Sequence, residues 1–106
     1  VYTGTNDNDT TLGWYRNLDE ATRRYVDSML RLAPGSMPDA LIHEALGSVG
    51  QLAILPAQDL LALGSEARLN TPGTVHGNWT WRLPAGALTP ELARHFAQLN
   101  GMYGRA

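Results

Sequence analysis

Apolar residues recur at helical spacing through residues 19–32, where Ala21, Tyr25, Met29 and Leu32 form a stripe with Val26 and Leu30 beside it. Glu20, Arg23, Arg24, Asp27 and Arg31 cover the opposite side. This 3.6-residue period predicts an amphipathic helix with one face on a core. Glu20 and Arg24, four apart, support it, and Pro34-Gly35-Ser36 ends it. A second helix is predicted from 38 to about 46, with Pro38 in its first turn and Leu41, Ile42, Ala45 and Leu46 as its buried stripe. A third starts where Thr89 supplies an N-cap, Pro90 the first helical residue and Glu91 a favourable first-turn charge. Leu92, Phe96, Leu99 and Tyr103 define its apolar face. His43 reads as a surface or capping residue and His95 as cover for a core edge.

Two stretches follow a different rule. Residues 1–5 are rich in residues that favour extended backbone. Residues 49–55 contain the continuous apolar run Leu52-Ala53-Ile54-Leu55, a pattern that predicts a strand covered on both faces, as in a parallel sheet. Two strands separated by helices form a βαβ unit with a right-handed crossover, so the fold class is α/β. A short helix over residues 59–63 is expected to end at Gly64, and a polar loop over 65–73 to turn at Pro72-Gly73. Another short helix should begin near Asp9 or Thr10, both good N-cap types. Trp14, Tyr15, Trp79 and Trp81 are read chiefly as packing residues, with sugar stacking the rarer alternative.

Composition narrows the function. The 106 residues carry a formal net charge of −2, which gives no electrostatic case for nucleic acid or an anionic membrane. All eight basic residues are Arg. Cysteine is absent, so disulfides and thiolate metal sites are excluded, and the composition fits a reducing, cytoplasmic setting. No apolar run approaches the roughly 18 residues that a membrane span needs. No cluster has metal-ligand spacing, and no Gly-rich phosphate loop is present.

The chemistry concentrates after the first extended stretch, in Gly4-Thr5-Asn6-Asp7-Asn8-Asp9-Thr10. Parallel α/β barrels present catalytic acids from the carboxyl ends of strands, which makes Asp7 the leading candidate and a helix cap its ordinary alternative. Asp9, Asp59, Glu66 and Arg68 read as loop-ordering partners, with a Glu66–Arg68 ion pair conceivable from spacing. Asn70 suits hydroxyl recognition through paired donor and acceptor, or else holds its own turn before Pro72.

Residues 2–15, from Tyr2-Thr3-Gly4 to Trp14-Tyr15, closely resemble a signature of the 4-α-glucanotransferases, a branch of the α-amylase-like retaining glycosidases. Pro56-Ala57-Gln58-Asp59-Leu60-Leu61 through Asn70-Thr71-Pro72-Gly73, and then Gly77-Asn78-Trp79-Thr80-Trp81-Arg82, resemble the same family in the same order. The resemblance implies the carboxyl-terminal part of a TIM (β/α)8 barrel, with residues 1–106 a segment of a single catalytic barrel of about 250 residues or more. It implies transfer of α-1,4-glucan units between maltooligosaccharides or starch-like glucans, with no organic cofactor and no metal. Retaining transfer needs a carboxylate nucleophile and an acid/base carboxyl; by resemblance these lie on earlier strands, and Asp7 matches the third, charge-stabilising acid. Asn6 and Asn70 match sugar-contacting positions. The rival expectation is a non-catalytic carbohydrate-binding module, or a barrel fragment that associates with the remainder of the enzyme or with itself.

Asn6 departs from the family pattern, which has His at that place. Asn keeps hydrogen-bonding capacity but carries no charge near neutral pH. In the full-length protein carrying this segment, Asn6→His is expected to raise the transfer rate; unchanged kinetics on maltotriose would remove this position from the chemistry.

Overall fold

The computed structural model describes residues 1–5, 7–30 and 36–105. Helices α1 (Thr11–Arg16), α2 (Glu20–Leu30), α3 (Asp39–Leu46), α4 (Ala57–Leu60) and α5 (Pro90–Met102) follow in order, with a 3-10 turn at Ser65–Ala67 between α4 and α5. None of these helices is long and apolar enough to cross a membrane.

The core lies where α3 meets α5. Ile42, Leu46 and Leu99 are buried together, and Ala53, Leu55, Phe96 and Tyr103 pack against them. The helical stripes of α3 and α5 thus meet as the sequence pattern requires. Pro38 stands at the N-cap rather than inside the first turn of α3, after a cis Met37–Pro38 bond. His43 is neither a free surface residue nor a cap. Its Nδ1 lies 2.6 Å from the Tyr103 hydroxyl, and the rings meet edge to face, fastening α3 to the end of α5.

Beyond α5, Gly104 adopts a left-handed conformation (φ +71°), and the Arg105 N–H donates to the Asn100 carbonyl at 2.7 Å. This is the reversal that glycine permits without a Cβ clash. It turns the Arg105 guanidinium onto the carbonyls of Leu46 (2.7 Å), Gly50 (2.8 Å), Ser48 (3.2 Å) and Gln51 (3.3 Å). One planar fork therefore satisfies acceptors at the end of α3 and along the segment that follows.

Residues 1–5 and 49–55 meet as parallel neighbours, but through the single bridge Tyr2–Ile54; no longer ladder forms among the described residues. The Ile54 N–H donates to the Val1 carbonyl at 2.8 Å and the Thr3 N–H to the Ile54 carbonyl at 3.4 Å. The run expected to be covered on both faces is instead half open, with Leu52 57% and Ile54 47% exposed. A buried strand needs partners on both edges and both faces, and these residues find one edge partner.

The stripe of α2 is also uncovered: the helix has no buried residue, and Tyr25 and Met29 are each 65% exposed. Periodicity reports which face of a helix seeks cover, not whether cover is present. Leu32 and the breaker at Pro34-Gly35 lie outside the described residues. The start of α2 is as expected, since Asp19 accepts from the Thr22 N–H at 3.0 Å. Hydrogen bonds from Thr22 hold the Asp19 carboxyl below its ordinary range.

Helix α4 begins two residues earlier than expected and does not end on Gly64. Ala62 takes the left-handed cap position (φ +55°), with the Leu63 N–H donating to the Gln58 carbonyl and the Ala62 N–H to the Asp59 carbonyl. That pattern closes a Schellman cap with alanine in the glycine place, at a cost of about 1 kcal/mol.

Arg105→Lys should lose about 1–3 kcal/mol of local stability, because a compact ammonium cannot span the carbonyls that a guanidinium fork reaches. The expected signature is faster amide hydrogen exchange over residues 47–55, with α1 unchanged.

Candidate functional site

The loop between Thr3 and Thr11 is braced internally by its own side chains. Asn8 Oδ1 accepts from both the N–H and the hydroxyl of Thr5 at 2.9 Å, and the Asn8 N–H returns to the Thr5 carbonyl at 3.1 Å. Thr10 then caps α1 by accepting from the Gly13 N–H at 3.1 Å. At the other end of α1, Arg23 Nη2 donates to the carbonyls of Arg16 and Leu18, both at 3.0 Å. Its guanidinium also lies over the Tyr15 ring. The Tyr15 hydroxyl bonds Asp27, and that hydrogen bond raises its pKa above the ordinary tyrosine value.

Two chain-distant loops meet at Asp7. Asn70 Nδ2 donates to Asp7 Oδ1 at 2.6 Å, across 63 residues of sequence. Arg68 fixes the spacing of the two backbones, donating from Nη2 to the Asp7 carbonyl and from Nε to the Asn70 carbonyl, each at 2.9 Å. Asp9 performs a similar tie, accepting from the Thr10 N–H at 2.8 Å and the Ser65 hydroxyl at 2.7 Å.

Behind this surface sits Asp59, 2% exposed. Its Oδ2 accepts from the hydroxyls of Thr3 (2.6 Å) and Thr11 (2.8 Å), and its Oδ1 from the Thr11 N–H (2.9 Å). Neighbouring Gln58 donates from Nε2 to the Ala67 carbonyl at 3.2 Å, anchoring the turn before Arg68. Helix α1 comes close to that turn through Gly13. A Cβ there would stand 2.3 Å from Ser65 Oγ, 2.7 Å from Asp9 Oδ1 and 2.8 Å from the Ser65 backbone nitrogen.

A cleft of about 490 Å³ opens beside these loops, with Tyr2, Asn8, Asp9, Asp59, Arg68 and Trp81 among its lining residues. Asp7 and Asn70 flank it through their neighbours rather than line it. Hydroxyl, amide, carboxylate and guanidinium groups beside aromatic surface suit a neutral, polyhydroxylated ligand, whose C–H faces lie on rings and whose hydroxyls both donate and accept. Among the described residues no group of three His, Cys, Asp or Glu is placed to hold a metal ion.

Asp7 and Asn70, chosen separately from sequence, are thus in direct contact. Asn6 lies outside the described residues. Asp7 is not a helix cap, since Thr10 has that role. Nor does the Asn70 side chain hold its own turn; Asn78 pins that loop, accepting from the Thr71 N–H at 2.8 Å. Asp9, Asp59 and Arg68 order loops as expected. The Glu66–Arg68 pair is not formed: Glu66 accepts from the Gly64 N–H at 3.0 Å while Arg68 is engaged at Asp7 and Asn70. Trp79 is not a core residue. It is 58% exposed in a left-handed conformation (φ +59°), its N–H bonded to the Leu69 carbonyl at 2.6 Å. Sequence reading missed Gln58 and Ser65 as ties. Their signals were the Gln-Asp pair just after the apolar run and a hydroxyl next to Gly64.

The backbone is similar to that of part of an amylomaltase. It matches amylomaltase from Streptococcus agalactiae, solved in complex with acarbose, at a TM-score of 0.90 and 31% identity over 99% of this chain and 21% of that one. Glycoside hydrolase family 77, described as 4-alpha-glucanotransferase, matches residues 1–89, and the chain belongs to that family. It is 48% identical to the 4-alpha-glucanotransferase of Thermus thermophilus over 96% of this chain, and 43% identical to that of Synechocystis over 99%. The chain spans about a fifth of the length of these relatives, 21% of each.

Gly13→Ala should be destabilising although alanine favours helix by up to about 1 kcal/mol. The clash with backbone at Ser65 cannot relax by rotating a side chain, and overpacking of this kind costs about 1–3 kcal/mol. A lowered unfolding midpoint in the full-length protein is the expected result.

Proposed function

We propose that this chain is a segment of a single 4-alpha-glucanotransferase catalytic barrel and that Asp7 is the charge-stabilising carboxylate of a retaining transfer. Residues 1–5 and 49–55 would be adjacent parallel strands of a TIM (β/α)8 sheet; the parallel Tyr2–Ile54 bridge supports that arrangement. The substrate is a maltooligosaccharide or starch-like glucan, the setting cytoplasmic, and the reaction needs no organic cofactor.

In such a transfer the donor's α-1,4 bond breaks as a nucleophilic carboxylate takes the anomeric carbon and an acid protonates the leaving oxygen. An acceptor hydroxyl, deprotonated by the same group now acting as base, then displaces the carboxylate. The nucleophile and acid/base residue are supplied from outside these 106 residues. Asp7 contributes negative charge and hydrogen-bond acceptance where the sugar ring flattens and gains positive charge. Asn70 orients that carboxylate from one oxygen, and Asn6 offers an amide to sugar hydroxyls.

The observation that carries this reading is the 2.6 Å bond from Asn70 to Asp7, which aligns a carboxylate beside a cleft suited to hydroxylated ligands. The open apolar surface at Tyr2, Ile54, Tyr25 and Met29 favours a second reading for the chain by itself, a carbohydrate-binding or self-associating fragment.

With maltotriose, Asp7→Asn in the full-length protein should lower kcat for chain-length redistribution about 10²–10³-fold, while KM stays within about threefold. Wild-type rates would remove Asp7 from the chemistry. The isolated chain should produce no longer oligosaccharides, and binding without turnover would favour the second reading for that form.

A further inference from the structure

We propose that Asp59 is a positioning residue for the transfer reaction, setting the place of Asp7 without touching sugar; this rests on the reading of Asp7 as the charge-stabilising carboxylate. Thr3 precedes the Asp7 loop and Thr11 follows it, and both are fastened to the Asp59 carboxylate, at 2.6 Å and at 2.8 and 2.9 Å. The two ends of the loop therefore share one anchor. Next to it, Gln58 holds the Ala67 carbonyl at 3.2 Å, one residue before the Arg68 that reaches the Asp7 carbonyl. The Gln58-Asp59 pair in α4 thereby sets both arms of the site, the carboxylate and the Asn70 that orients it. Asp59 lies in the wall of the cleft, but it is 2% exposed and both its oxygens are occupied by protein donors, so its influence passes through the loop. Hydroxyls accept as well as donate, so an asparagine could keep this geometry: its oxygen would take the Thr11 N–H, and its amide would face the two hydroxyls.

The test uses the full-length protein and maltotriose. Asp59→Ala should lower kcat about 10–100-fold, with KM within about threefold, since a displacement near 1 Å at a reacting centre carries losses of this size. Asp59→Asn should stay within about threefold of wild type. In an Asp7→Asn background, Asp59→Ala should add less than about threefold, because residues that act through one another are not additive. Three results overturn the proposal: an Asp59→Ala rate within threefold of wild type, equal losses in both backgrounds, or an Asp59→Asn loss as large as that of Asp59→Ala. Should Asp59→Ala not fold by circular dichroism, Thr3→Val replaces it. It frees one end of the loop, and its expected three- to tenfold kcat loss must vanish in the Asp7→Asn background; persistence there overturns the proposal. An Asp7→Asn variant with wild-type rates strikes the reading of Asp7 itself, whereas a damaged Asp7→Asn with additive Asp59→Ala strikes the positioning role alone.

Discussion

A carboxylate removed from water must recover its lost hydration from protein donors, and Asp59 does so by drawing in two chain segments that lie far apart in sequence. Thr3 and Thr11 are 56 and 48 residues from it, yet their hydroxyls and one N–H meet its two oxygens. Hydrogen bonds to charged groups contribute about 1.5–3 kcal/mol each, and an orphaned buried charge is strongly unfavourable. The loop that carries Asp7 begins and ends on this anchor, so its closure follows from satisfying one buried group.

The remaining polar ties extend the same logic outward. Arg68 and Asn70 reach Asp7, Asp9 reaches Ser65, and Gln58 reaches Ala67. Each joins the 3–11 segment or α4 to the 65–70 segment, and two end on backbone carbonyls. Side-chain-to-carbonyl bonds set the spacing of whole segments rather than of side-chain tips. Gly13 makes the closest approach possible: there the absence of a Cβ lets α1 come against Ser65. The apolar cluster of Ile42, Leu46 and Leu99 includes none of these tying residues.

Elements with strong local signals were legible in the sequence. Thr89-Pro90 marks the start of α5 and Thr10 the start of α1 because caps act within one turn. The stripe of α3 is buried as its period requires. Family resemblance marked Asp7 and Asn70, but not that they would touch, since pairing across 63 residues has no local signature. Ala62 as a helix cap was invisible, because left-handed alanine is decided by tertiary fit while Gly64 offered the better local rule. Trp79 was misread for a similar reason: bulk suggests burial, but its backbone is held by the Leu69 carbonyl in a conformation that leaves the ring outside. The 49–55 run and the α2 stripe were read correctly as apolar faces, and within this segment both are left open.

Those open faces fit the dimensions of the chain. Its radius of gyration is 14.5 Å, wider than the roughly 13 Å expected for an autonomous domain of this length. Apolar burial is therefore incomplete at the 1–5 and 49–55 segments and at α2. The site does not share that deficit. It is held by Asp59, Arg68, Asn70 and their backbone partners, whose bonds close within the described residues. Covering the apolar faces would add stability, while the spacing between Asp7 and Asn70 already follows from polar contacts inside this segment. The fold and the site thus depend on different forces: apolar packing is left open on surface this chain exposes, while the placement of Asp7 rests on a buried carboxylate that the chain supplies itself.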